Sequence, residues 1–261
     1  MADKSLLRMK ELQVTPKITL NIPSVGDILD DEGYYYWIVN SITQSPYSAM
    51  VELDDMGIDF TTITAFELFV LKARFILSSD LSYVFGDTFS KLYNVLSNPE
   101  ISDEFKNENV LRIGKNQENG EMVIYDAVDD IIIDQLVYEQ IADGIRKINL
   151  IEKDNRRPGN DAAKHYLIQK ERRYKRRHAK DKVNPYLETL VVALVNKQEF
   201  PYNYETVMDV SIYNFKRSLK QIQHTVNFDK VMIGVYAGTV DASKMADKSI
   251  LNFIDFKSKT H

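Results

Sequence analysis

The chain has 261 residues, 44% of them hydrophobic, and a net charge of -5 at pH 7. That hydrophobic content is ordinary for a globular protein and excludes wholesale disorder, while the lack of any cysteine excludes disulfides, thiol enzymes and thiolate metal sites. The first residues are charged at Asp3, Lys4, Arg8, Lys10 and Glu11, and nowhere is there an apolar run of about 18 residues, so neither a signal peptide nor a membrane span is expected and a cytoplasmic location is.

The net charge hides an asymmetry. Between Arg146 and Lys182 there are 14 Lys or Arg against 5 Asp or Glu, and the remainder carries 19 against 33. Two regions of opposite sign should have different partners, or should pair with each other.

In chain order, "ITLNIPSVGDILD" reads as an extended entry punctuated by Pro23 and Gly26 before a short helix. "GYYYWIVNSIT" places Tyr35, Ile38, Val39 and Ile42 at helical spacing and predicts a core helix. Ser45 before Pro46 predicts a capped helix start, with Gly57 as its stop. Ile63, Phe66, Phe69, Val70, Ala73, Ile76 and Leu77 mark an amphipathic helix preceded by capping-type Thr61 and Thr62.

After Asp80 the character changes. "SYVFGDTFSKLYNVLS" is rich in β-formers, "NVLRIG" is a short apolar run, and "GEMVIYDAVDDIIID" reads as two strands joined by an acidic turn at 127–130. Residues 81–133 are therefore expected to form a small β-rich unit between a helical N-terminal part, 1–80, and a helical C-terminal part, 134–261. Asp134 is placed to cap a helix with the stripe Leu136, Val137, Ile141, Ile145 and Ile148.

"EKDNRRPGND" is a hinge, and Asn160 or Asp161 can cap a new basic helix over about 160–182, ended by Asn184 and Pro185. Its apolar stripe is only Ala163, Tyr166, Leu167 and Tyr174, so it is expected to project or to bridge to a partner. Leu187, Leu190, Val191, Leu194 and Val195 form a buried helix. Met208, Ile212, Phe215, Leu219 and Ile222 form another, started by Asp209 or Ser211, and "FDKVMIGVYAGTVDASKM" reads as a separate short third helix with Gly238 in its C-terminal turn. The fold class is α+β, mainly helical.

No catalytic signature emerges, so no enzyme, metal or cofactor is expected. His165, His178, His224 and His261 have no metal-ligand spacing, and no nucleophile elbow or phosphate-cradling glycine loop is present. Gly234 to Gly238, the closest glycine cluster, reads as helix packing. Asp126, Asp129, Asp130 and Asp134, and more weakly "LDDMGIDF", could hold a magnesium ion, but turn formation and helix capping explain them without a metal and rank first, because no partner Lys or His for such a site is evident nearby.

The basic run has the sharper claim. Arg172, Arg173, Lys175, Arg176 and Arg177 could grip phosphates, with Tyr166 and Tyr174 available for stacking. Composition ranks protein contact or self-association first, a solvated helix second and nucleic acid, through residues 164–182, third.

Several phrases together, "IPSVGDILDDEGYYYWIVNSITQSPYSAMVELDDMGIDFTTITAFELF", "VFGD", "NDAAKHYLIQKERRYKRR", "LETLVVALVN" and "SIYNFKRSLKQIQHTVNFDKVMIGVYAG", resemble tail-region proteins of long-tailed bacteriophages and prophages of Gram-positive bacteria. The resemblance runs from about Ile22 to Met245 and implies a tail assembly chaperone, although such chaperones are typically smaller and wholly helical. It implies work in the host cytoplasm on tape-measure or tail-tube protein, with self-association as a homo-oligomer possible and Tyr213, Phe215 and Leu219 as partner-facing positions; the charge of the basic run adds Arg172, Arg173, Tyr174, Arg176 and Arg177 as candidate partner-binding residues. Core packing competes for Tyr213, Phe215 and Leu219, and for Tyr34, Tyr36 and Trp37.

Overall fold

A computed structural model describes residues 5–76, 81–89, 100, 111–116, 120–126, 131–179 and 186–254. The fold is α+β and mainly helical. Leu77, Asp129, Asp130, Asn184, Pro185, His261 and the residues at 90–99 and 101–110 lie outside the described residues.

The chain opens with an antiparallel pair, β1 (Glu11–Gln13) and β2 (Thr19–Asn21), with Leu12 opposite Leu20. Ser24 then starts α1 (Val25–Asp30) by a reciprocal cap: its hydroxyl accepts from the Asp27 amide while the Asp27 carboxylate accepts from the Ser24 amide. Asp31 caps α2 (Glu32–Thr43), which buries Tyr35, Ile38, Val39 and Ile42 as their spacing requires.

Two expected helix starts are displaced. Ser45 accepts from the Ser48 amide in a tight turn, and α3 (Met50–Asp55) begins only after it, because Ser45 and Ser48 satisfy each other locally rather than opening a helix. For α4 (Ala65–Ile76) the cap is Thr64, reciprocated by Glu67, whereas Thr61 and Thr62 close a turn on Asp59. Phe66, Phe69, Val70 and Ala73 are buried on its inner face.

The start of the presumed β-rich unit is helical. Residues Ser82–Phe85 form α5 and Gly86–Phe89 a 3-10 turn, and Val84, Phe85 and Phe89 are buried in the main core. Burial on a one-sided surface overrides the β-propensity of the segment. The expected strands follow as a three-stranded antiparallel sheet of β3 (Arg112–Lys115), β4 (Met122–Asp126) and β5 (Ile131–Ile133), in that order, with Ile124 between Ile113 and Ile133.

Asp134 caps α6 (Gln135–Asn149) through the Val137 amide at 2.7 Å. The buried stripe is Tyr138, Ile141, Ala142, Ile145 and Ile148, and it touches α2, α4, β2 and β5. Leu136 is exposed and Tyr138 takes the inward place expected of it, since the Tyr138 ring packs on Phe66 and Phe69 and its hydroxyl donates to the Ile42 carbonyl at 2.9 Å. The basic helix α7 (Asp161–Arg177) is capped by Asn160, and α8 (Leu187–Val195) buries Leu187, Val191 and Leu194.

The last two helices expected from sequence are one. After a Ser211 cap, α9 (Ile212–Tyr236) runs 25 residues without a break, and Met208 lies in the turn before it. Nothing between Ile222 and Phe228 breaks a helix, as neither Gly nor Pro occurs there. Gly238 has φ of 71°, the conformation expected beyond a helix end, and Gly234 is pressed by the Val240 side chain, which a Cβ would meet at 2.7 Å.

The entry of α9 is zipped to the start of the chain. Val25 and Gly26 amides donate to Val210 and Met208, and the Ile212 amide donates to Pro23. Buried residues drawn from Leu6 at one end to Phe215 at the other thus meet in the main core. Phe215 is 0% exposed within it, so this residue, expected among the partner-facing positions, belongs to the core; Tyr213 and Leu219 are half-buried against the same core.

A polar network crosses this interior. The Tyr35 hydroxyl and the Asn149 amide are hydrogen-bonded, and Lys216 on α9 donates to the Asn149 carbonyl at 3.3 Å and to its Oδ1 at 3.1 Å, with its ammonium 5.0 Å from the centre of the Tyr36 ring. Burial pulls the Lys216 ammonium down to about 8, against the pull of Glu32 and with the push of Lys220. Glu32 in turn accepts from the Tyr186 and Leu187 amides and closes the start of α8.

Two outcomes follow. Phe215→Ala is expected to lower the unfolding free energy by about 3–5 kcal/mol in denaturant titration, the cost of a phenylalanine-sized core cavity. Because the folded-state value of Lys216 lies below the ordinary 10.5, the folded chain binds fewer protons there than the unfolded one. Stability from this group therefore rises with pH above about 8, and Lys216→Met is expected to flatten that rise when unfolding is followed between roughly pH 8 and 9.5.

Candidate interaction site

The described helix most unlike the core is α7, whose only buried side chain is Ile168. Ile168 and half-buried Leu167 enter a satellite cluster with Ala49, Met50, Val51, Leu53, Phe60 and Leu68, separate from the main core. These two anchors lay α7 along α3, so the helix does not stand clear of the body as its thin apolar stripe suggested.

Charge completes the docking. Lys164 meets Asp59 at 2.8 Å, Arg172 meets both Asp54 and Asp55, and Lys175 meets Glu52 at 3.4 Å, with Lys72 on the other side of Glu52 at 2.8 Å. The acids of "LDDMGIDF", considered above as a weak metal site, are thus occupied by cations of α7. Lys164 donates to Asp59 and, with the Thr61 amide and hydroxyl, holds that carboxyl at about 2. Burial alone would raise Glu52, but the ammonium groups of Lys72 and then Lys175 keep it below its ordinary value.

The inward positions Lys164, Leu167, Ile168, Glu171, Arg172 and Lys175 recur at helical spacing, and so do the outward ones. Tyr166, Lys170, Arg173, Tyr174 and Arg177 line the opposite side, all exposed, with Arg176 at its edge. The two tyrosines are 61% and 57% exposed, and the Tyr174 ring lies 4.1 Å from that of His178. Among the described residues no carboxylate pairs with Lys170, Arg173, Arg176 or Arg177. Sequence reasoning grouped Arg172 with its neighbours, whereas the structure separates it: Arg172 is spent on α3, and Arg173, Tyr174, Arg176 and Arg177 face outward.

The other expected residues fall elsewhere. Tyr213, Phe215 and Leu219 belong to α9 and its core contact, away from the cationic face. Tyr34 and Tyr36 are half-buried and Trp37 is 40% exposed, stacked on Tyr34 at 5.8 Å. The missed residues are Ile168 and the acids Glu52, Asp54, Asp55 and Asp59. Their signal was present, since Lys164, Ile168, Arg172 and Lys175 repeat on one face opposite a run of acids, but a polar docking face leaves little hydrophobic periodicity to detect. No described helix is long and apolar enough to cross a membrane.

Arg172→Glu is expected to loosen α7 by on the order of 1 kcal/mol, read as faster amide exchange across 161–177, while Arg173→Glu leaves that exchange unchanged. The Asp59 contribution is present above its ordinary value of 3.8 and is lost as pH falls through about 2, so exchange in the same helix should accelerate over that acid window.

Residues 177–254, from the last residue of α7 through α8, α9 and the short turns beyond, match the family described as YomV second domain, which is associated with phages and prophages. No curated protein and no solved structure matches the chain.

Proposed function

We propose that the protein is a non-enzymatic bacteriophage tail morphogenesis factor, similar in role to a tail assembly chaperone, that binds tape-measure or tail-tube protein in the host cytoplasm. The reading draws on the resemblance across Ile22 to Met245 and on the phage-associated family matched by the C-terminal part. The observation that carries it is the division of α7 into a face neutralised by the acids of α3 and by Asp59 and an outer face of cations alternating with tyrosines. Such a face suits reversible capture of an extended helical client: tyrosine supplies apolar area with a polar tip, arginine supplies forked donors, and neither requires an active site.

A second reading is favoured by the same two tyrosines. Exposed aromatic rings between Lys170, Arg173 and Arg177 also match the stacking-plus-phosphate pattern of single-strand binding. The two readings separate by salt, because phosphate contacts release counterions and aromatic contacts do not.

Co-expression with tape-measure and tail-tube proteins is expected to give a complex that survives moderate salt, and Tyr166→Ala with Tyr174→Ala to weaken it at least tenfold. Loss of all protein capture, together with nucleic acid that co-purifies at low salt and disappears at high salt, would replace the first reading by the second.

A further inference from the structure

The front of α9 continues past the body that it packs on. Ile212, Phe215, Leu219 and Ile222 lie on one side of the helix, with Ile212 and Phe215 buried and Leu219 and Ile222 half-buried against the core. The same 3–4 spacing continues through Val226, Asp229, Lys230, Ile233 and Tyr236. Val226 is still half-buried, but beyond it the side is bare: Asp229 and Lys230 are exposed, Ile233 is 69% and Tyr236 83% exposed. The back of this half is covered by the chain's own end, where Gln221 donates to the Phe253 carbonyl, His224 pairs with the Asn252 carbonyl at 2.7 Å, and Phe228 meets Phe253 edge to face. The described residues of the C-terminal segment, up to Ile254, are thus seated on the side away from the exposed front.

Composition says what the front is built to meet. From Gln221 to Val240 the only formally charged residues are Asp229 and Lys230, adjacent and of opposite sign, in a chain that is 27% charged. A solvated helix would carry more charge, and a surface made for a strongly acidic or basic partner would carry one sign. Asp229 and Lys230 are both exposed, and among the described residues neither has an ion-pair partner. One arrangement uses both. An antiparallel copy of the same helix, related by a two-fold axis passing between positions 229 and 230, sets Asp229 of each chain against Lys230 of the other. The same operation brings Val226 of each chain onto Ile233 of the other, and Tyr236 alongside Gln223. A two-fold interface must be self-complementary in this way, and the stretch from half-buried Val226 to exposed Tyr236, about 15 Å at the helical rise, supplies three turns of it from each copy.

We infer that the distal half of α9 is a homodimerisation surface, in which Val226, Ile233 and Tyr236 pack against a second copy and Asp229 and Lys230 set its antiparallel register. This surface is separate from the outer face of α7, so the inference stands or falls independently of the client proposed above.

The test is light scattering or sedimentation of the full chain over a wide concentration range. The wild type is expected to move from the 30.2 kDa monomer towards twice that mass. Ile233→Glu should remain a monomer. Asp229→Lys and Lys230→Asp should each weaken association at least tenfold, because each places like charges together, and an equimolar mixture of these two variants should recover it, because both contacts become attractive again. Asp229, Lys230 and Ile233 are all exposed, so circular dichroism should show these variants folded. A wild type that is monomeric at every concentration overturns the inference, including the case in which Ile233→Glu instead loses a different protein. Association that persists in Ile233→Glu, or single-charge variants that are not restored on mixing, overturns it equally.

Discussion

A helix rich in arginine and lysine can lie on a protein surface only if its inward cations meet carboxylates, and this constraint organises the candidate site. Glu52, Asp54, Asp55 and Asp59 meet it. The individual pairs are partly exposed and weak, but they act together with the insertion of Ile168 into a small apolar cluster. Their more important effect is on orientation. With Lys164, Arg172 and Lys175 turned inward, helical geometry turns Tyr166, Lys170, Arg173, Tyr174 and Arg177 outward. The acidic excess of the rest of the chain is thus partly consumed inside the molecule.

The main core is tied together in a different way. Helix α6 contacts α2, α4, α9 and two strands, and its last turn carries Asn149, the meeting point of Tyr35 and Lys216. Burying a lysine is costly unless its protons are directed at acceptors, and here they are directed at Asn149. The network ties α9 to α2 and α6 at its first turns, and the later turns are held by the segment around Asn252 and Phe253 on the side away from Ile233. One continuous helix therefore serves as core at Phe215 and as surface at Ile233, with no change in its sequence period.

Much of the fold was legible where hydrophobic period and capping chemistry agreed. Tyr35 to Ile42, Asp134, and Leu187 to Leu194 behave as their spacing requires, and β4 and β5 pair as expected. The readings failed where local and tertiary demands differ. Val84, Phe85 and Phe89 have strand-forming side chains, but the core accepts them from a helical turn. Ser45 and Thr61 look like caps and instead serve turns, because short hydroxyl side chains satisfy either geometry. At the site, the cationic run was conspicuous, but its division was not, since which side of a polar helix faces inward is decided by Ile168 and by acids more than 100 positions away.

The central claim is that division, and the absence of cysteine allows it to be measured directly. Cysteines are introduced in pairs, Asp59→Cys with Lys164→Cys and, for comparison, Asp59→Cys with Arg173→Cys, and each protein is treated with a short bismaleimide. The Leu167, Ile168 and Arg172 contacts remain in the first pair to hold the helix in place. The account predicts rapid bridging within one chain for positions 59 and 164 and little for 59 and 173. Equal bridging of both pairs, or none at 59 and 164, would contradict it by showing that α7 presents no fixed face to α3.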